Sequence, residues 1–198
     1  MEKINNAYLV NVSELMKLDI TGKIVVFPTD TVYGIGCNPF SIKALNKLFE
    51  FKQRDYTKPI NVLTDSIDKI KLVSTNISSK EMEIMNKYFP SDLTIILNKK
   101  DNVPDILTAN LNTIGVRIPN SDIALTILKE YKYPIATTSV NISGEKPSLE
   151  VKDFYDDFKD KVDIIVEGGK SKIGIPSTII KIENNNVNVL RQGNLKVE

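Results

Sequence analysis

Short apolar runs rich in β-branched residues alternate with amphipathic segments along almost the whole chain. Few architectures accept that pattern. Strand-like runs fall at residues 23–27, 59–63, 93–97, 113–118, 134–140, 162–166, 177–182 and 187–191. Helical spacing falls between them at 13–18, 41–51, 79–88, 121–131 and 149–158, with Ser13, Ser121 or Asp122 as openers. Interleaving of this kind predicts an α/β fold. The Asn184-Asn185-Asn186 run between the last two strands predicts a hairpin. The sheet is therefore expected to be mixed and not purely parallel. No internal repeat, linker or low-complexity block interrupts the 198 residues, so one domain over 1–198 is expected.

Several chemistries are excluded at once. The chain has no histidine, which removes imidazole bases and His-bearing zinc sites. Cys37 is the only cysteine, so no disulfide forms within the chain. Residues 1–6 lack the apolar core of a secretory leader, and no apolar run approaches the roughly 18 residues of a membrane span. A cytoplasmic protein without membrane contact is expected. The net charge of +1 does not announce a nucleic-acid binder.

Polar side chains cluster where apolar elements give way to loops. Lys52, Arg54 and Lys58 lie within seven residues after a helix and can neutralise phosphate, Arg bidentately. Such cations also occur simply as solvated helix ends facing the macrodipole. Thr137, Thr138, Ser139, Asn141 and Ser143 crowd the end of a strand, where α/β sheets place ligands, although turn chemistry favours the same residues. Thr29, Asp30 and Thr31 leave another strand in a loop taken to run from 28 to 36. They suit orientation of a substrate or a metal ion, or a capped turn. Arg117 and Arg191 end strands and need an edge or an anion. Two glycine patterns fail as nucleotide signals. Gly34 and Gly36 lack a third glycine, since position 39 is Pro39. Gly169-Lys170-Ser171 lacks the first glycine of a phosphate loop, whose place is held by Ile164. The stretch 168–174 is expected to be a surface turn or flexible lid.

Seven segments taken in order resemble the YrdC family, the threonylcarbamoyl-AMP synthases. They are FPTDTVYGIG from Phe27, KQRDYTKPINVL from Lys52, FPSDLTIIL from Phe89, TIGVRIP from Thr113, TTSVNISGEKPS from Thr137, PSTI from Pro176 and LRQG from Leu190. The resemblance implies a twisted, open mixed sheet with flanking helices around a basic cavity. It implies condensation of L-threonine, bicarbonate or CO2 and ATP to threonylcarbamoyl-AMP and pyrophosphate, with Mg²⁺ expected beside ATP. A downstream tRNA threonylcarbamoyltransferase complex would use the product on tRNAs that read ANN codons, and the resemblance also implies weak tRNA binding as a partner expectation. The family's catalytic tetrad falls on Lys52, Arg54, Ser139 and Asn141. Arg54, Lys58, Thr113, Ser139, Ser148 and Arg191 would face ATP. Thr31, Leu63, Arg117, Thr137 and Ser177 would face threonine, with Leu63 standing where many relatives carry His. Because the segments end at LRQG, the likeness is to the short, single-domain form. A non-catalytic RNA-binding module of the same fold is the main alternative. A carbamoyl-adenylate former like the hydrogenase-maturation domain, and a purely structural domain, rank below it.

Overall fold

The computed structural model describes residues 2–4 and 7–198; Met1, Asn5 and Asn6, part of the stretch read above for a leader, lie outside them. The strands are β1 (Glu2–Ile4), β2 (Ala7–Val10), β3 (Val25–Pro28), β4 (Tyr33–Cys37), β5 (Asn61–Leu63), β6 (Leu93–Asn98), β7 (Thr113–Arg117), β8 (Ile135–Ser139), β9 (Ile164–Val166), β10 (Thr178–Glu183) and β11 (Asn186–Arg191). Among the described residues they form one sheet in the order β1-β2-β9-β3-β4-β8-β5-β7-β6-β10-β11. Parallel joins (β2–β9, β9–β3, β5–β7, β6–β10) mix with antiparallel ones, as the sequence led us to expect. The helices are α1 (Val12–Leu15), α2 (Ile42–Phe51), α3 (Ile67–Ile70), α4 (Ser79–Tyr88), α5 (Asp105–Thr108), α6 (Asp122–Glu130) and α7 (Tyr155–Phe158). None is long and apolar enough to cross a membrane.

Both faces of the sheet are covered, which explains why β3 reads as a continuous apolar run. Val26 packs into one core with Leu45, Leu48 and Phe49 of α2. Its neighbours Val25 and Phe27 point the other way, into a second core with Ala124, Ile127 and Leu128 of α6. Strand β9 alternates likewise, Ile165 to the first core and Ile164 and Val166 to the second. Lys69 ties α3 to the end of α6, where its ammonium donates to the carbonyls of Leu128 and Tyr131 and pairs with Asp65. Cations placed there satisfy the last carbonyls of a helix.

Several boundaries differ from the sequence reading. The first helix is a single turn capped by Asn11, not Ser13. Asn11 and Glu14 exchange side-chain and backbone bonds as a capping box, and the turn ends at Leu15, short of residue 18. The loop taken to span 28–36 is mostly strand: β4 begins at Tyr33 and pairs with both β3 and β8. Its glycines suggested a loop, yet they serve close strand packing. A Cβ on Gly36 would sit 2.6 Å from the Ala136 carbonyl oxygen and 2.9 Å from Thr137 Oγ1. The helix expected over 149–158 is broken into a 3₁₀ turn (Val151–Asp153) and α7, because Phe154 leaves helical geometry at φ −135°. The Asn184–Asn185 turn appears as expected, with φ of 51° and 64° at the two central positions.

Truncation of Leu48, fully buried on α2, is expected to cost about 2–5 kcal/mol. Ile42→Ala on the same helix, where the side chain is 59% exposed, should stay within about 0.5 kcal/mol. Denaturant unfolding of the two variants distinguishes a core set by this face of α2 from one set elsewhere.

Candidate functional site

Three arginines from distant parts of the chain converge on one cavity of about 180 Å³. Arg54 comes from the loop after α2, Arg117 from the last position of β7, and Arg191 from the last position of β11. The wall also carries Thr29, Thr31, Tyr33, Asn61, Leu63 and Thr94, and is completed by Thr137–Ser139 and Pro176–Ser177. Among the described residues, no carboxylate lines it. A larger hollow of about 470 Å³ lies between α1 and the end of α6. Its wall carries two carboxylates, Asp19 and Glu130, against one cation, Lys132, so for anionic ligands the cavity lined by three arginines is the stronger candidate.

Each arginine is fixed by acceptors before any ligand arrives. Arg117 is buried, and its three nitrogens donate to Ser91 O (2.9 Å), Thr31 Oγ1 (2.9 Å) and Asp30 Oδ1 (2.5 Å). A guanidinium carries five N–H groups, so two remain. Arg54 donates to Lys58 O (3.1 Å) and Pro59 O (2.8 Å). Arg191 forks onto Ser177 O (3.0 and 2.8 Å) and reaches Ser177 Oγ at 3.2 Å. The Ser177 hydroxyl also bonds Thr94 Oγ1 at 2.8 Å. Burial pulls the pKa of all three guanidinium groups down, opposed at Arg117 by Asp30 and reinforced at Arg191 by the like charge of Arg117. The wall is thus short of negative charge, and an anion bound there relieves the deficit.

Lys52 is brought to the same place from beneath. Its side chain is 1% exposed, and its ammonium donates to the Ser139 carbonyl and to Asn141 Oδ1. The Ser139 hydroxyl donates to the same Oδ1 at 2.6 Å. The Asn141 amide then donates to Ile142 O and Glu145 O. Burial, with Arg54 nearby, lowers the Lys52 pKa to about 7. The expected surface cation is therefore an internal brace behind Ser139.

Of the residues singled out from the sequence, Thr31, Arg54, Leu63, Arg117, Thr137, Ser139, Ser177 and Arg191 line the cavity. Lys52 and Asn141 stand behind Ser139. Lys58 is exposed and offers Arg54 its carbonyl, not its ammonium. Thr113 begins β7 at the end opposite Arg117, off the wall. Ser148 is buried and bonds Tyr33 and Val140 through its backbone. The stretch 168–174 is more than a surface turn. Ile173 and Gly174 donate to the carbonyls of Asp30 and Thr31, and the Tyr33 hydroxyl donates to Gly169 O at 2.8 Å. Asn61, Thr94 and Tyr33 are not singled out by the sequence; Asn61 shares its strand's inward face with Leu63, a period-two signal visible only once the wall is known, and Thr94 lies beside Arg117 across the β6–β7 pairing.

The Mg²⁺ expected with ATP finds no carboxylate on this wall, and no cluster of three or more acidic, Cys or His side chains occurs among the described residues. The donor set does not suit a resident divalent ion.

The Sua5/YciO/YrdC family model, described as "Telomere recombination", matches residues 20–193. The threonylcarbamoyl-AMP synthase of Pyrococcus abyssi is 34% identical over 177 residues, 89% of this chain and 52% of that protein. The putative threonylcarbamoyl-AMP synthase of Methanocaldococcus jannaschii is 35% identical over 198 residues, covering 99% of this chain and 92% of the relative. The crystal structure of P. abyssi Sua5 complexed with L-threonine superposes with a TM-score of 0.88 at 30% identity, over 93% of this chain and 57% of that one. The chain thus spans about half the length of the Pyrococcus relative. A match of this extent in sequence and in fold establishes that the chain belongs to the Sua5/YciO/YrdC family.

Proposed function

We propose that this chain makes threonylcarbamoyl-AMP from L-threonine, bicarbonate or CO2 and ATP. The observation that carries the reading is the convergence of Arg54, Arg117 and Arg191 on one cavity without an acidic side chain on its wall. The reaction brings a carboxylate, a carbamate and a triphosphate together, and each needs fixed positive charge. The named relatives, one of them solved with L-threonine, support the same assignment.

In this reading Arg117 holds the threonine carboxylate with its two remaining N–H groups, and Thr31, Thr137 and Ser177 surround the amino acid above an apolar floor at Leu63. Arg54, Ser139 and Arg191 hold the phosphates. Lys58, Thr113 and Ser148 join the ATP contacts by resemblance alone, since none lines the cavity. A carbamate oxygen attacks the α-phosphorus, the bond to the β-phosphate oxygen breaks, and pyrophosphate leaves. The carbamate is its own nucleophile, so no imidazole is needed. Any Mg²⁺ belongs to the incoming nucleotide, and no step is routed through it. Lys52 and Asn141 act by fixing Ser139. The product would pass to a tRNA threonylcarbamoyltransferase complex, and the cell compartment would be the cytoplasm.

Pyrophosphate release should require threonine and bicarbonate together; release indifferent to the amino acid, or none, overturns the proposal. Arg54→Ala is expected to lower kcat/KM for ATP about 10²–10³-fold, the scale of losing one preorganised charge partner. Normal activity in a Lys52→Ala, Arg54→Ala double variant would sink the phosphate assignment.

The brace has its own signature in stability. The folded-state pKa of Lys52 lies near 7, below its ordinary 10.5. The unfolded chain therefore holds the proton over the window from about pH 7 to 10.5, and stability rises with pH there. Between pH 7 and 9 the native chain should gain roughly 2–3 kcal/mol relative to Lys52→Met, whose neutral side chain cannot titrate. Parallel unfolding curves for the two proteins at both pH values would refute the burial of a titrating amine.

A further inference from the structure

Most polar groups on the cavity wall are already engaged. Thr31 accepts from Arg117, the Thr137 hydroxyl donates to Ile135 O, Ser139 donates to Asn141, and Ser177 and Thr94 bond each other. The Asn61 amide is different: among the described residues it has no hydrogen-bond partner, although the residue lines the cavity. The Thr138 hydroxyl shares that property, but it sits on β8, whereas Asn61 stands between two of the arginines.

The placement follows from β5. Pro59, two residues before Asn61, receives Arg54 through its carbonyl at 2.8 Å. Leu63, two residues after, is in register with Arg117. From 59 to 63 an extended chain covers about 13 Å, with Asn61 at its midpoint and on the same face as Leu63. The side chain is also given room. Its Oδ1 lies over Gly115 on the adjacent strand, in the space that any Cβ at 115 would take. Packing against bare backbone restricts the amide's rotamers and orients it before a ligand binds.

We propose that Asn61 contacts the carbamate group, the bicarbonate-derived part of the substrate, as a catalytic residue that holds it between the amino acid and the phosphates. This rests on the synthase reading, in which Arg117 takes the carboxylate and Arg54 the phosphates. The group joining them then falls beside the midpoint of β5. A neutral amide suits that place. Its Nδ2 donates to the carbamate oxygens, while a further cation there would hold the carbamate in its ground state and oppose its attack on phosphorus. A carboxylate would repel three anionic groups at once.

The test uses the full chain and follows pyrophosphate release against bicarbonate at saturating threonine and ATP, with threonine affinity measured separately by calorimetry. Asn61→Leu keeps the branching and number of heavy atoms and removes the amide. It is expected to raise the half-saturating bicarbonate about tenfold or more, with threonine affinity within about twofold of the unaltered chain. Asn61→Asp, equal in size but charged, should lose more activity than Asn61→Leu. Asn61→Ser serves in place of Asn61→Leu should the latter fail to fold, judged by its melting temperature. An unchanged bicarbonate dependence overturns the inference, as does an equal loss of threonine affinity, which would mean that Asn61 only shapes the wall. Failure of the unaltered chain to release pyrophosphate overturns the synthase reading itself, and no variant is needed to see it.

Discussion

Arg117 is the point from which the site is built. A guanidinium taken into the interior costs several kcal/mol unless its donors and charge are matched. Here Asp30 supplies the charge, while Thr31 and the Ser91 carbonyl supply further acceptors. Meeting that requirement fixes much else. The β3–β4 connection must lie against the end of β7, which places Thr29 and Thr31 on the cavity wall. Asp30 and Thr31 in turn lend their carbonyls to Ile173 and Gly174, so the approach to β10 is set by the same loop. That approach delivers Ser177, on which Arg191 forks. One buried cation thus orders segments that are far apart in the chain, and each of them contributes to the wall.

The electrostatics of the wall follow from this economy of acids. Asp30 offsets Arg117 from behind, leaving Arg54 and Arg191 without a carboxylate partner among the described residues. Their acceptors are neutral carbonyls, which orient a guanidinium without cancelling its charge. Arg117 and Arg191 also feel each other, since the charge of one depresses the pKa of the other. An anion bound to either relieves that repulsion for both. Any two anions held on this wall would therefore be coupled through the protein's own charges, with no change of shape required.

How much of this the sequence carries depends on the length of each signal. Helix α4 has the bounds that its period suggested, because a capping box of Ser78 and Glu81 fixes its start and the apolar positions Ile84 and Met85 fix its face. Strand β2 and helices α3 and α5 span four residues each, too few for periodicity to register. Strand β4 was hidden by Gly34 and Gly36, whose usual meaning is a turn and whose meaning here is the close approach of β8. The cations of the site were legible as charged residues at loop edges, but their burial was not. Lys52 lies 87 residues from Ser139 in sequence, and nothing local to KQRD distinguishes an ammonium aimed inward at a carbonyl from one in water. Leu63 and Ser177 are reached only through resemblance, since an apolar residue in a strand and a hydroxyl just before one announce nothing by themselves, whereas Thr137 stands out with its polar neighbours at the end of β8.

The mixed sheet explains why the arginines can converge at all. In a purely parallel sheet the strand ends of one sense all lie along one edge, and ligands gather there. Here β7 runs parallel to β5 but antiparallel to β6, so the end of β7 that carries Arg117 lies beside the start of β6, near Thr94. Strand β10 runs parallel to β6, which brings the residue before it, Ser177, to the same edge. The hairpin to β11 reverses once more and returns Arg191 to Ser177. Strand β8, antiparallel to both β4 and β5, carries Ser139 opposite Gly34 on the other flank, where Lys52 meets it. The links that make these reversals range from the Asn184–Asn185 turn to the 99–112 segment that carries α5, and together they bring cations from residues 54, 117 and 191 to one hollow. The convergence of positive charge in this chain is a property of strand direction as much as of the side chains that strand direction delivers.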